Sequence, residues 1–117
     1  MSGPLAGFKV IDMTSVISGP LSTMILADQG AEVIKVENPD GGDFTRALSN
    51  RRGGFSASFL NNNRSKRSIA VDTKKSEGME IVKKLLSTAD VFIQNMRPGV
   101  VERIGLGEEE VRKLPQK

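Results

Sequence analysis

The chain contains no histidine, no cysteine, no tryptophan and no tyrosine. Without cysteine there is no disulfide, no thiolate nucleophile and no cysteine-based zinc site. Without histidine the usual proton shuttle near neutral pH is missing, and a Ser-His-Asp triad cannot be built within the chain. Any chemistry must rest on Asp, Glu, Lys or Ser, or on residues from elsewhere. No apolar run approaches the roughly 20 residues of a membrane span, and the N-terminus lacks the basic-then-apolar order of a secretory signal. The expectation is a chain of the cytoplasm or an organelle matrix, with no metal and no membrane partner.

What is present is ordinary globular material: 38% hydrophobic and 26% charged residues, too apolar for wholesale disorder. A folded monomer of 12.7 kDa exposes roughly 6,200 Å² of the roughly 18,400 Å² available to the unfolded chain. That suffices for one core, so a single unit over residues 1–117 is expected.

Charge is unevenly spread. Residues 1–50 carry three basic and six acidic side chains, whereas residues 51–75 carry seven basic ones and one acid, Asp72. This basic stretch suggests an anionic partner, and a solvated loop is the competing reading.

Phe8 to Thr14 is nearly continuous in apolar character, as in a strand buried on both faces. Ser15 to Pro20 follows as a turn, with Pro20 suited to the first helical position and Gly19 or Ser18 as cap. Leu21 to Leu26 has helical spacing, Gly30 stands where a left-handed residue would end the helix, and Ala31 to Val36 reads as a second strand. The order is that of a βαβ unit with a parallel sheet.

Glu37 to Asn63 reads as a long irregular excursion, with a short helix at Phe44–Leu48 and with Phe55, Phe59 and Leu60 as anchors to the core. Regular structure resumes with a strand at Arg67–Asp72 and a helix capped by Ser76 and reaching Ala89. A strand at Asp90–Asn95, a short helix at Val100–Ile104 and a last helix at Glu108–Leu114 complete the pattern. The fold class expected is α/β, a Rossmann-like three-layer arrangement with a mainly parallel sheet.

The turn after the first strand points helix N–H groups at the C-terminal edge of the sheet, where such folds bind anions. Glu37 stands where a dinucleotide-binding fold places its ribose-binding acid, but the glycine fingerprint is missing, and a plain helix start with a surface Glu is the competing reading. Asn61 to Arg67 offers three cations and several amides that could hold phosphates. No basic helix accompanies it and only Phe55 and Phe59 are near, which argues against nucleic acid. Asn95-Met96-Arg97-Pro98-Gly99 forms a second strand-to-helix turn at the same sheet edge.

VIDMTSVISGPLSTMILADQGAEVIKVENPDGGDFTR and NRSKRSIAVDTKKSEGMEIVKKLLSTADVFIQNMRPGVVERIGLG together resemble the N-terminal part of a family III CoA-transferase. That group includes formyl-CoA transferase, carnitine CoA-transferase and α-methylacyl-CoA racemase. The resemblance runs from Leu5 to Leu114. It implies a coenzyme A-binding segment of a Rossmann-like large domain, in enzymes that are interlocked homodimers. Carried over by position, the coenzyme A contacts are Ile17, Ser18, Asn38, Val71, Lys74, Asn95, Met96, Arg97 and Arg103.

Relatives often carry Arg where this chain has Asn38, which removes one charge-assisted contact. The resemblance also places the family's catalytic Asp, the racemase His–Asp pair and the second domain beyond Lys117. The chain thus reads as a fragment that binds coenzyme A or acyl-CoA without supplying a catalytic residue. The alternatives are a stand-alone coenzyme A or nucleotide-binding module, and an inactive truncated product that self-associates. Apolar area exposed over the helices, including parts of Val100-Val101 and Ile104, leads to the expectation of a homo-oligomer, though a chain this short cannot form the interlocked ring.

Overall fold

A computed structural model describes residues 2–48 and 51–116; Met1 and Lys117, the ends of the expected unit, lie outside the described residues. Strand β1 (Lys9–Met13) leads into helix α1 (Ser18–Asp28) and strand β2 (Glu32–Glu37). A 3₁₀ turn (Phe44–Ala47), a two-strand hairpin of β3 (Arg51–Arg52) and β4 (Phe55–Ser56), and helix α2 (Ala57–Asn63) connect to β5 (Arg67–Ala70). Helix α3 (Ser76–Leu86), strand β6 (Val91–Gln94), and the short helices α4 (Val100–Arg103) and α5 (Glu108–Arg112) follow. The main sheet has the order β5-β2-β1-β6, and every pairing in it is parallel.

Alternation along β1 and β2 divides the interior in two. Ile11, Ile34 and Val36 face one way, onto Val82 and Leu86 of α3, with Val101 and Leu106 completing that core. Val10 and Val33 face the other way, onto Ala27 of α1. The sheet is thus flanked by helices on both faces, which is why its central strands are apolar on both sides. The second face changes character along its length. Asp12 and Lys35, paired in register, are buried on the same side as Val10 and Val33.

Helix α1 ends as its sequence indicates. Gly30 has φ +105°, and its N–H bonds to Ala27 O at 3.0 Å. Its start differs from expectation: the helix begins at Ser18, Ile17 precedes it without a side-chain cap, and Pro20 is the third helical residue. Proline is harmless there because first-turn N–H groups have no intrahelical partner. Likewise Lys75, not Ser76, occupies the cap position of α3, with no side-chain cap bond.

The excursion after β2 is more regular than its sequence indicates. Helix α2 packs beside α1 and is opened by Ser56 Oγ, which accepts from Phe59 N. Phe55 and Leu60 do not anchor it, being 61% and 51% exposed. Phe59 is half-buried, and the Arg46 guanidinium lies 3.7 Å from its ring centroid. Over α4, Val101 is buried, while Val100 and Ile104 are partly exposed. One run of exposed apolar side chains follows α1 and the residue before it: Ile17, Leu21 and Ile25 are 52%, 39% and 46% exposed at four-residue spacing.

Candidate functional site at the carboxyl edge of the sheet

Parallel pairing brings the ends of all four strands to one edge. The segments that leave β1, β2, β5 and β6 therefore gather there, and they contain eight of the nine residues expected to contact a ligand. Asn38 follows β2, Val71 and Lys74 follow β5, and Asn95, Met96 and Arg97 follow β6. Ile17 and Ser18 lie where the chain passes from β1 into α1. Arg103 is the last residue of α4.

A cleft of 240 Å³ opens at this edge, lined among others by Met13, Asn38, Val71, Lys74 and Met96. It brings together four of the expected residues; Ile17, Ser18, Asn95, Arg97 and Arg103 do not line it. Lys74 is exposed, and Val71 is buried in the α3-side core, which leaves its backbone rather than its side chain for a ligand. The Asn38 side chain accepts from Asp40 N at 2.9 Å. A larger hollow of 590 Å³ runs along the open edge of β6, lined by Phe92, Val101 and Leu106, and includes none of the nine.

The cations sort into two groups. Arg64 pairs with Asp28 at 2.7 Å, Lys66 with Asp12 at 2.9 Å and Arg67 with Glu32 at 2.7 Å. The Asn61–Arg67 segment is therefore not a phosphate cradle: each of its three cations is held by a carboxylate of the chain. By contrast, among the described residues no ion pair involves Lys74, Arg97 or Arg103.

Glu37 is not a ribose-binding acid either. Arg46 grips both its carboxylate oxygens at 2.7 Å, Asp43 N donates at 2.9 Å, and Ser68 Oγ donates as well. Burial pushes its pKa up, but these donors outweigh burial and hold it at about 2. Lys35 Nζ lies 2.8 Å from Asp43 Oδ2 with both side chains buried, and donates to Thr14 O at 3.1 Å. Burial likewise opposes ionisation of Asp43, and hydrogen bonds from Lys35 and Thr45 N outweigh it, so its pKa lies below the usual value. Together these groups hold the loop after β2 against the sheet. The sequence shows them only as polar interruptions in apolar strands.

The turn between β1 and α1 is held from two sides, by Asn95 and by Asp43. Ser15 N donates to Asn95 Oδ1 at 3.0 Å, Asn95 Nδ2 donates to Ser15 O at 2.9 Å, and Val16 N donates to Asp43 Oδ1 at 3.3 Å. Gly19 allows the first turn of α1 to approach this close: a Cβ there would lie 2.5 Å from Thr14 Cβ. The edge thus carries Lys74, the amides of Asn38 and Asn95 and the start of α1, together with the carboxylates of Glu37, Asp40 and Asp72 in the cleft wall, of which Glu37 is neutralised by Arg46. Among the described residues, no group of three or more Asp and Glu could hold a metal ion, and no helix is long and apolar enough to cross a membrane.

The profile of CoA-transferase family III matches residues 5–117. The chain is 45% identical over 112 residues to succinyl-CoA:glutarate CoA-transferase of Homo sapiens, covering 95% of this chain and 26% of that protein. It is 42% identical to formyl-CoA:oxalate CoA-transferase of Escherichia coli, covering 97% of this chain and 28% of the relative. Among solved structures, a CAIB/BAIF family protein from Brucella suis superposes with a TM-score of 0.91 at 38% identity, over 98% of this chain and 32% of that one. The Rv3272 protein of Mycobacterium tuberculosis superposes with a TM-score of 0.88 at 40% identity, over 97% of this chain and 30% of that one. The chain thus spans about a quarter to a third of the length of these relatives. The match extends over nearly every described residue and includes the whole parallel sheet: the chain belongs to CoA-transferase family III.

Proposed function

We propose that this chain is the coenzyme A-binding portion of an acyl-CoA transferase that moves coenzyme A between carboxylic acids. The observation that carries the proposal is the 240 Å³ cleft at the carboxyl edge, where Asn38, Val71, Lys74 and Met96 meet, and among the described residues Lys74 there holds no ion pair. Coenzyme A carries a pyrophosphate and a 3′-phosphate, which match cations and unpaired N–H groups. Lys74, Arg97 and Arg103 would neutralise the phosphates, with Ile17, Ser18, Asn38, Val71, Asn95 and Met96 shaping the site around them. The ligand supplies the thiol that carries the acyl group. The chain's own residues bind and orient it, and none is assigned as nucleophile. The single unit over residues 1–117 and the cytoplasm remain the organisation and compartment we propose.

Calorimetric titration of the chain with coenzyme A tests this. Saturable binding that raises the melting temperature by mass action is expected. No binding, or equal binding to unrelated DNA, would remove the proposal. A second reading, self-association, is favoured by the uncharged stripe of Ile17, Leu21 and Ile25 on the outer face of α1. Apolar stripes of this kind favour association, and a two-fold dimer buries the same stripe twice.

A further inference from the structure

We propose that Asn95 is a positioning residue whose carboxamide latches the β1–α1 turn to the turn after β6, and so sets where the first turn of α1 points. The inference builds on the coenzyme A-binding reading and adds to it a division of labour: the Asn95 side chain acts through Ser15, not on the ligand.

The geometry is reciprocal. Asn95 Oδ1 accepts from Ser15 N at 3.0 Å, and Asn95 Nδ2 donates to Ser15 O at 2.9 Å. Donor and acceptor of one carboxamide are thereby matched to acceptor and donor of one residue, across 80 positions of sequence. The segment needs such a hold. Val16 has φ +75°, a conformation that costs energy for a β-branched residue and persists only where its surroundings impose it. Thr14 on one side of Ser15 is fixed by Asp12 and Lys35, and Val16 on the other by Asp43. Ser15 sits between these holds, and among the described residues only Asn95 binds its backbone from a second strand end. Gly19 completes the arrangement: a Cβ there would lie 3.0 Å from Asn95 Nδ2, so only glycine lets the helix start rest against the latch unperturbed. The N–H groups of Ile17, Ser18 and Gly19 follow directly, and their direction is inherited from the latched turn.

The test uses two variants of the full chain, with amide hydrogen exchange and coenzyme A titration. Asn95→Ala removes both bonds. Ser15 N–H should lose about tenfold or more of its protection, while Val33 and Ile34 in the sheet keep theirs. Asn95→Asp retains an acceptor and loses the donor, so Ser15 N–H should stay protected while coenzyme A affinity still falls. Affinity in Asn95→Ala should fall about tenfold, as expected for two lost hydrogen bonds. Unchanged Ser15 protection in Asn95→Ala, or a loss spread evenly over the sheet, would overturn the latch. So would undiminished coenzyme A affinity alongside lost protection. If the unsubstituted chain binds no coenzyme A, the ligand reading fails, and the exchange pattern alone still decides whether Asn95 holds the turn.

Discussion

The ammonium of Lys66 lies 2.9 Å from Asp12 Oδ2, and neither side chain reaches solvent. Lys66 Nζ also donates to Pro20 O and Asn63 Oδ1, and Asp12 accepts from Thr14 and Thr23. The pair therefore joins the central strand, α1 and α2 at one buried point. Lys66→Ala leaves a buried carboxylate uncompensated and should destabilise the chain by about 3–5 kcal/mol. The double change Lys66→Met with Asp12→Asn removes both charges and should recover a good part of that loss. Urea unfolding of the three proteins measures it; a double variant as unstable as the single one would show that charge imbalance is not the cause.

Acid should unfold the chain partly through Glu37. Its folded pKa of about 2 lies below its ordinary value of 4.5, so its contribution is complete above the ordinary value and is lost as pH falls through the folded one. The loss is on the order of 3 kcal/mol. Glu37→Gln should therefore be less stable than the unsubstituted chain at neutral pH, with the difference closing below about pH 4.5. Stability curves for the two proteins that stay parallel down to pH 2 would contradict this assignment.

Gly19 and Gly78 are held by space at a φ that other residues also adopt. At Gly19 a Cβ would meet Thr14 Cβ at 2.5 Å, and at Gly78 one would meet Asp72 O at 2.0 Å. Gly19→Ala should cost about 1–3 kcal/mol, as overpacking does. Gly78→Ala should cost more, because the obstacle is backbone rather than a side chain. Gly53→Ala provides the contrast: no atom lies within 4 Å of its Cβ, and only its φ of +58° opposes the change. Thermal melts that rank Gly53→Ala worst would refute this order.

Ligand contacts and structural contacts should separate cleanly. Lys74→Ala and Arg97→Ala should each weaken coenzyme A binding by roughly 1–3 kcal/mol, the worth of a charge-assisted contact. Among the described residues neither holds an ion pair, so their melting behaviour without ligand should move by no more than about 0.5 kcal/mol. Asn38→Arg should strengthen binding by adding a cation at the cleft. Titrations that are the same for all three and for the unsubstituted chain would exclude this site.

Association should follow α1. Leu21→Lys places a charge in the middle of the Ile17–Leu21–Ile25 stripe and should abolish self-association without unfolding the chain, since Leu21 is already 39% exposed. Sedimentation equilibrium with interference optics suits a chain without Trp or Tyr. A single 12.7 kDa species before the substitution would refute the interface.

The βαβ opening was legible in the sequence because its signals are local: an apolar run, Gly30 at a helix end, a second apolar run. Helix α2 was not. Its sequence, ASFLNNN, has no apolar stripe, and what settles it is distant: Arg64 on Asp28 and Arg46 over Phe59. The free cations of the site and the paired cations of Arg64–Arg67 look alike in sequence. Only the position of a carboxylate from another segment distinguishes them. Asn95 shows the same limit: its place at the edge follows from the strand before it, but the direction of its amide depends on Ser15.

The strand order also bears on how the chain comes together in time. Val10 of β1 pairs with Val33 on one side and with Val91 on the other. The first pairing closes a short loop and the second more than two-thirds of the chain, and loop closure slows as the intervening segment grows. β1 and β2 should therefore associate early and β6 last. Until β6 arrives, β1 has a bare edge, open to the same strand of another molecule. Refolding yield should then fall with protein concentration even where the native state is stable, and slowing the arrival of β6 should deepen that loss.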